Sequence, residues 1–120
     1  MSRDHRKLRV FACADALVME VYRVTASFPA EERYGLQAQL RRAVVSTATN
    51  IVEGSARRTT REYVDFLNIA NGSTAEVAYL LDVATRLGLI QKPRCFPLAD
   101  RCEELTKGLQ RLIAVLEGQP

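Results

Sequence analysis

Five arginines, Arg41, Arg42, Arg57, Arg58 and Arg61, fall between positions 41 and 61, a stretch that holds a single carboxylate, Glu53. A guanidinium is planar, permanently charged and forks onto phosphate oxygens. The chemistry such a cluster offers is contact with a phosphate backbone, so these five are candidate nucleic-acid-binding residues, with Arg33 able to extend the set. The competing reading is a solvated helix end, where arginine is common. No recognition-helix or aromatic-stacking motif accompanies the cluster, so RNA or DNA would be held with little sequence preference.

Catalytic chemistry has few candidates. The single histidine, His5, lies in an N-terminal stretch expected to fray, and no Ser-His-Asp or Cys-His arrangement can be built around it. The pairs Glu31-Glu32 and Glu103-Glu104 lack the repeated acidic spacing of helical metal-dependent pyrophosphatases. Cys13, Cys95 and Cys102 form no CxxC pair and have no neighbouring histidine, which suits reduced thiols in a cytoplasmic protein better than a metal site or a disulfide framework. The sequence therefore predicts no enzyme, no metal and no cofactor. A second polar set, Gln39, Arg42, Ser46, Asn50 and Glu53, recurs at three- and four-residue steps. With Glu76 placed to pair with Arg42, it reads as a structural polar network that fixes helix register.

Four helices must carry these residues. Leu8, Phe11, Ala14, Val18, Val21 and Tyr22 keep the helical rhythm over about 8–26, and Ser27-Phe28-Pro29 stops it. After a short turn through Glu31, Glu32, Arg33 and Gly35, a second helix runs over 36–53, with Gly54 as its breaker. Thr59 and Glu62 form a capping box for a third helix to Leu87, closed by Gly88. Gly72 inside it weakens it by about 1 kcal/mol, which close approach of another helix would explain. A loop over 89–96 precedes a fourth helix opened by Pro97, in which Leu98, Cys102, Leu105, Leu109, Leu112 and Leu116 repeat at alternating steps of four and three. Short connections and no strand pattern predict an all-α, antiparallel up-down-up-down four-helix bundle, one domain over 1–120 with 1–7 as a flexible tail.

The second helix is apolar around too much of its circumference. Leu36, Leu40, Ala43, Val44, Thr47 and Ile51 make one stripe; Ala38, Val45, Ala48 and Val52 make another. Together they span an arc of about 220°, where a half-solvated helix needs little more than about 100°. The second stripe is thus the candidate oligomer interface, to be covered by a copy of the chain. Net charge is +3, but residues 1–61 carry 11 Lys/Arg against 6 Asp/Glu (+5) and residues 62–120 carry 6 against 8 (−2), so anionic partners belong to the first half. The first apolar run is interrupted by Asp15 and Glu20, so it is neither a signal peptide nor a membrane span.

The blocks FPAEERYGLQAQLRRAVVSTATNIVEGSARR and EYVDFLNIANGSTAEV resemble the four-helix-bundle family of 23S rRNA intervening-sequence proteins. The resemblance rests on Phe28-Pro29 with Glu32, Gln39 with Arg42-Ala43, Ser46, Asn50-Ile51 with Glu53-Gly54, and Gly72-Ser73 with Glu76, and it covers nearly the whole chain. The chain is also similar to accessory proteins of diversity-generating retroelements. These resemblances imply a homo-oligomeric ring, usually a pentamer, without enzymatic activity, whose partners are nucleic acid and a protein such as a reverse transcriptase. The alternative is an adaptor ring that docks a protein and has no nucleic-acid affinity.

Overall fold

The computed structural model describes residues 4–118, and of Lys7 the backbone alone. Four α-helices follow in order: α1 (Arg9–Thr25), α2 (Leu36–Ser55), α3 (Thr60–Arg86) and α4 (Lys92–Leu116). Two 3-10 turns, His5–Lys7 and Ala30–Glu32, precede α1 and α2. The first turn, capped by Asp4 through Arg6 N at 3.0 Å, occupies much of the stretch read as a tail, whose residues 1–3 lie outside the described ones.

Each helix packs on two neighbours, α1 and α3 both lying against α2 and α4, as in a square bundle. Contacts along each seam run in opposite directions. Thr25 meets Gln37 and Tyr22 meets Arg41; Ser46 meets Ser73 and Gly54 meets Tyr63; Glu20 meets Arg101 and Val10 meets Gly108. Neighbouring helices are therefore antiparallel. Leu17, Val21, Leu40, Val44, Ile51, Leu67, Leu81, Leu105 and Leu109 fill a continuous core, the interior that the apolar stripes require.

The capping box forms: Thr59 Oγ1 accepts from Glu62 N at 3.1 Å and donates to the Glu62 carboxylate at 3.0 Å. Gly88 ends α3 with φ +79°, the left-handed conformation that favours glycine. Two helix boundaries differ from the sequence reading. Helix α4 starts at Lys92, and Pro93 occupies its first turn, where a missing N–H costs nothing; Pro97 then lies inside the helix, not at its start. Helix α2 runs through Gly54, which has no positive φ and is no breaker. A Cβ there would lie 3.0 Å from Phe66 Cβ, 3.0 Å from Tyr63 Cδ1 and 3.2 Å from the Tyr63 carbonyl, so its role is to let α3 approach.

Gly72 differs. Nothing lies within 4 Å of the Cβ it lacks, so no helix of the same chain comes near it, and the approach expected from the sequence is absent within the protomer. The two glycines predict opposite outcomes. Gly54→Ala should lower stability by about 1–3 kcal/mol through overpacking. Gly72→Ala should raise the stability of the separated protomer by about 0.5–1 kcal/mol by removing a flexible residue from an exposed helix. Urea denaturation midpoints at equal slope decide both; equal loss in the two variants would contradict the assignment.

Candidate nucleic-acid interface

The turn from α2 to α3 is short because Thr59 caps α3 four residues after α2 ends, and it brings Arg57, Arg58 and Arg61 together at one end of the bundle. All three are exposed. Arg57 lies with its guanidinium carbon 4.6 Å from the Phe66 ring centroid and a terminal nitrogen 3.7 Å from the Glu53 carboxylate, a long ion pair between exposed side chains. Such a pair is weak in water, whereas the ring holds the guanidinium plane in a fixed place. Arg58 and Arg61 have no hydrogen-bond or ion-pair partner among the described residues.

The remaining two arginines of the cluster stand elsewhere. Arg57 is fifteen positions beyond Arg42, about 22 Å along the helix axis. Arg42 is exposed and unpaired among the described residues. Arg41 turns inward: its Nε donates to Thr25 Oγ1 at 2.9 Å, its terminal nitrogen donates to the Tyr22 carbonyl at 3.2 Å, and it stacks 4.4 Å from the Tyr22 centroid. Thr25 is fully buried and donates onward to the Val21 carbonyl at 2.7 Å, while Gln37 donates to the Thr25 carbonyl at 2.8 Å. Arg41 thus ties α2 to the end of α1, a use that the sequence did not reveal because charge alone does not say which way a side chain turns.

The polar stripe of α2 divides in the same way. Ser46 and Ser73 share a hydrogen bond of 2.8 Å between their hydroxyls, and Asn50 Nδ2 donates to the Ser46 carbonyl at 2.8 Å and to its hydroxyl at 3.1 Å. These three form a network across α2 and α3. Gln39, Arg42, Glu53 and Glu76 are exposed and stand outside it. No ion pair joins Arg42 to Glu76 among the described residues, and Glu76 lies on the outward side of α3 and not at the core edge; in water the pair would gain little. The hydroxyl pair that the sequence missed is buried: Thr74 Oγ1 donates to the Ala70 carbonyl at 2.9 Å and reaches Thr47 Oγ1 at 3.5 Å.

Of the second apolar stripe, Ala48 is 9% exposed and belongs to the chain's own core, and Val45 packs against the core edge. Ala38 and Val52 are half-buried. Buried positions on α2 cover about 140° of the wheel, because the helix is wedged between α1 and α3. Only the margin through Ala38, Val45 and Val52 is left for a second chain. On α3, Ile69 and Tyr79 are 51% and 63% exposed on the side that carries Gly72.

The cysteines are free, and no group of three His, Cys, Asp or Glu side chains able to hold a metal occurs among the described residues. Burial, with Cys13 and Cys95 nearby, pushes the Cys102 thiol up to about 12. No helix among the described residues is long and apolar enough to cross a membrane.

The 23S rRNA-intervening sequence protein family model matches residues 6–111. A solved structure of a protein of unknown function from the S23 ribosomal protein family of Bacteroides thetaiotaomicron VPI-5482 superposes with a TM-score of 0.78 at 20% identity. The match covers 87% of this chain and 97% of that one, a likeness of fold. No curated protein matches the chain.

The two kinds of arginine give a direct expectation. Arg41→Met should lower stability by about 1–2 kcal/mol, since Thr25 and the Tyr22 carbonyl lose a charged donor. Arg58→Met should stay within about 0.5 kcal/mol. Chemical denaturation of both variants checks this, and equal midpoints would refute the structural role of Arg41.

Proposed function

We propose that this chain, which belongs to the 23S rRNA-intervening sequence protein family, is a non-catalytic helical-bundle protein that assembles with copies of itself and holds nucleic acid by its phosphate backbone. The observation that carries the reading is the trio at the α2–α3 turn: Arg58 and Arg61 exposed without intramolecular partners, and Arg57 held over Phe66. Two exposed guanidinium groups beside a third laid on an aromatic ring, at one end of a rigid bundle, suit phosphate oxygens. Arg42 is an outlying contact and Arg41 is left out. A cytoplasmic ring, with the pentamer as leading stoichiometry, would repeat the trio around its rim, so that weak contacts sum to useful avidity. RNA and single-stranded DNA are the partners in view, bound without base readout.

An adaptor ring that docks a protein is the second reading. It is favoured by Ile69 and Tyr79, two large apolar side chains exposed on the side of α3 that carries Gly72.

Two measurements test the proposal. In filter-binding titrations against RNA and single-stranded DNA, log affinity should fall linearly with log salt, and Arg58→Ala and Arg61→Ala should each reduce the slope by about one. Absence of salt-dependent binding near physiological ionic strength would leave the adaptor reading standing. For assembly, Val52→Glu places a charge on a half-buried apolar position and should drop the sedimenting mass toward the protomer with helicity unchanged. An unaltered mass would place the contact away from this strip.

A further inference from the structure

The α1–α4 side of the bundle, opposite the α2–α3 seam, holds a cleft of about 500 Å³ that the proposed backbone contact does not use. Its floor is Val10, Cys13 and Gly108. A Cβ on Gly108 would lie 2.9 Å from Val10 Cγ1, so the glycine both lets the helices close and keeps the floor free of a side chain. The walls are cationic. Arg9 comes from the first turn of α1, and Lys107 and Arg111 stand one turn apart on α4.

Arg9 and Arg111 are exposed and have no hydrogen-bond or ion-pair partner among the described residues. Lys107 reaches Glu103 at 3.2 Å, but both side chains are more than half exposed, and such a pair is easily exchanged for a better acceptor. Like charges at Lys107 and Arg111, four residues apart, repel one another until an anion lies between them. Leu8, the N-cap of α1, supplies no side-chain capping bond, so the positive end of that helix adds to the field beside Arg9. Glu104 is the carboxylate that lines the cleft against these cations.

We propose that this cleft is a binding site for a small polyanion of the di- or triphosphate type. Three cations from two helices converge on a volume of small-molecule size. Guanidinium forks give bidentate contacts to phosphoryl oxygens, and the ammonium supplies a point charge. No aromatic ring lines the cleft, so it reads the phosphate chain and not a base. The site stands on residues separate from the arginine trio, so either reading can fail without the other.

The test is calorimetric titration with sodium triphosphate and with pyrophosphate at constant ionic strength, sulfate serving as the non-specific anion. Triphosphate should bind in the micromolar range, and Arg9→Ala and Arg111→Ala should each weaken it by about tenfold or more. Glu104→Gln should tighten it, which a merely structural role would not produce, and the Arg58→Ala/Arg61→Ala double variant should leave it unchanged. Cys13 gives a second readout. Its thiol, held above the usual range by burial and by Glu104, lines the cleft, whereas Cys95 and Cys102 are buried in the core. Triphosphate should slow its alkylation by iodoacetamide at alkaline pH. No binding and no protection at about 1 mM triphosphate, equal binding of sulfate, or protection that survives the Arg9→Ala/Arg111→Ala double variant would each overturn the proposal. Competition by a single-stranded oligonucleotide that is lost with Arg9 and Arg111 would assign the cleft to nucleic acid instead.

Discussion

Between α2 and α3 the side chains that meet are small or hydroxylated, and that seam sets where every candidate arginine stands. Ser46 faces Ser73, Thr47 faces Thr74, and Gly54 accepts the Tyr63 and Phe66 side chains against its own backbone. Ala43 and Ala70 lie one turn before each threonine and are likewise buried. Small residues let helix axes approach, and the buried Thr47 and Thr74 each return their hydroxyl proton to a backbone carbonyl one turn back. The same closeness leaves no room for a wide loop at the α2–α3 turn. Thr59 caps α3 almost at once, Arg57 is laid on Phe66, and Arg58 and Arg61 are turned into solvent. A looser seam would still make a bundle but would not hold the trio in one place.

The legible part of the structure was what periodicity and capping encode. Leu98, Cys102, Leu105 and Leu109 are buried in the order that their spacing demands, and Thr59 and Gly88 close α3 as residue type predicts. The misread boundaries came from residues with two uses. Pro93 and Pro97 both suit a first helical turn, and only packing of Cys95 against α3, with its thiol 4.0 Å from the Leu81 carbonyl, selects the earlier start. Gly54 suits a helix end and a close approach equally, and the choice depends on where Tyr63 lies, which no local pattern states. The arginines were the hardest. Arg41 and Arg42 are adjacent in sequence, yet a step of about 100° around the helix sends one to Thr25 and the other to water.

The breadth of the apolar arc on α2 has a partly internal cause. A helix at the corner of a square bundle is covered on two sides, so an arc of about 140° can be satisfied without leaving the chain. Ala48 is accounted for in this way. Ala38, Val45 and Val52 lie beyond it and are half-covered, a state that neither demands a partner nor resists one. Contact with another molecule draws its stronger support from α3. A glycine at the middle of a 27-residue helix weakens it by about 1 kcal/mol, and at Gly72 nothing among the described residues uses the space so created. At Gly54 and Gly108 an identifiable neighbour fills the place of the missing side chain. Gly72 has the same helical cost with no such neighbour, and it lies between the exposed Ile69 and Tyr79, where a backbone from another molecule could come as close as α3 comes to Gly54.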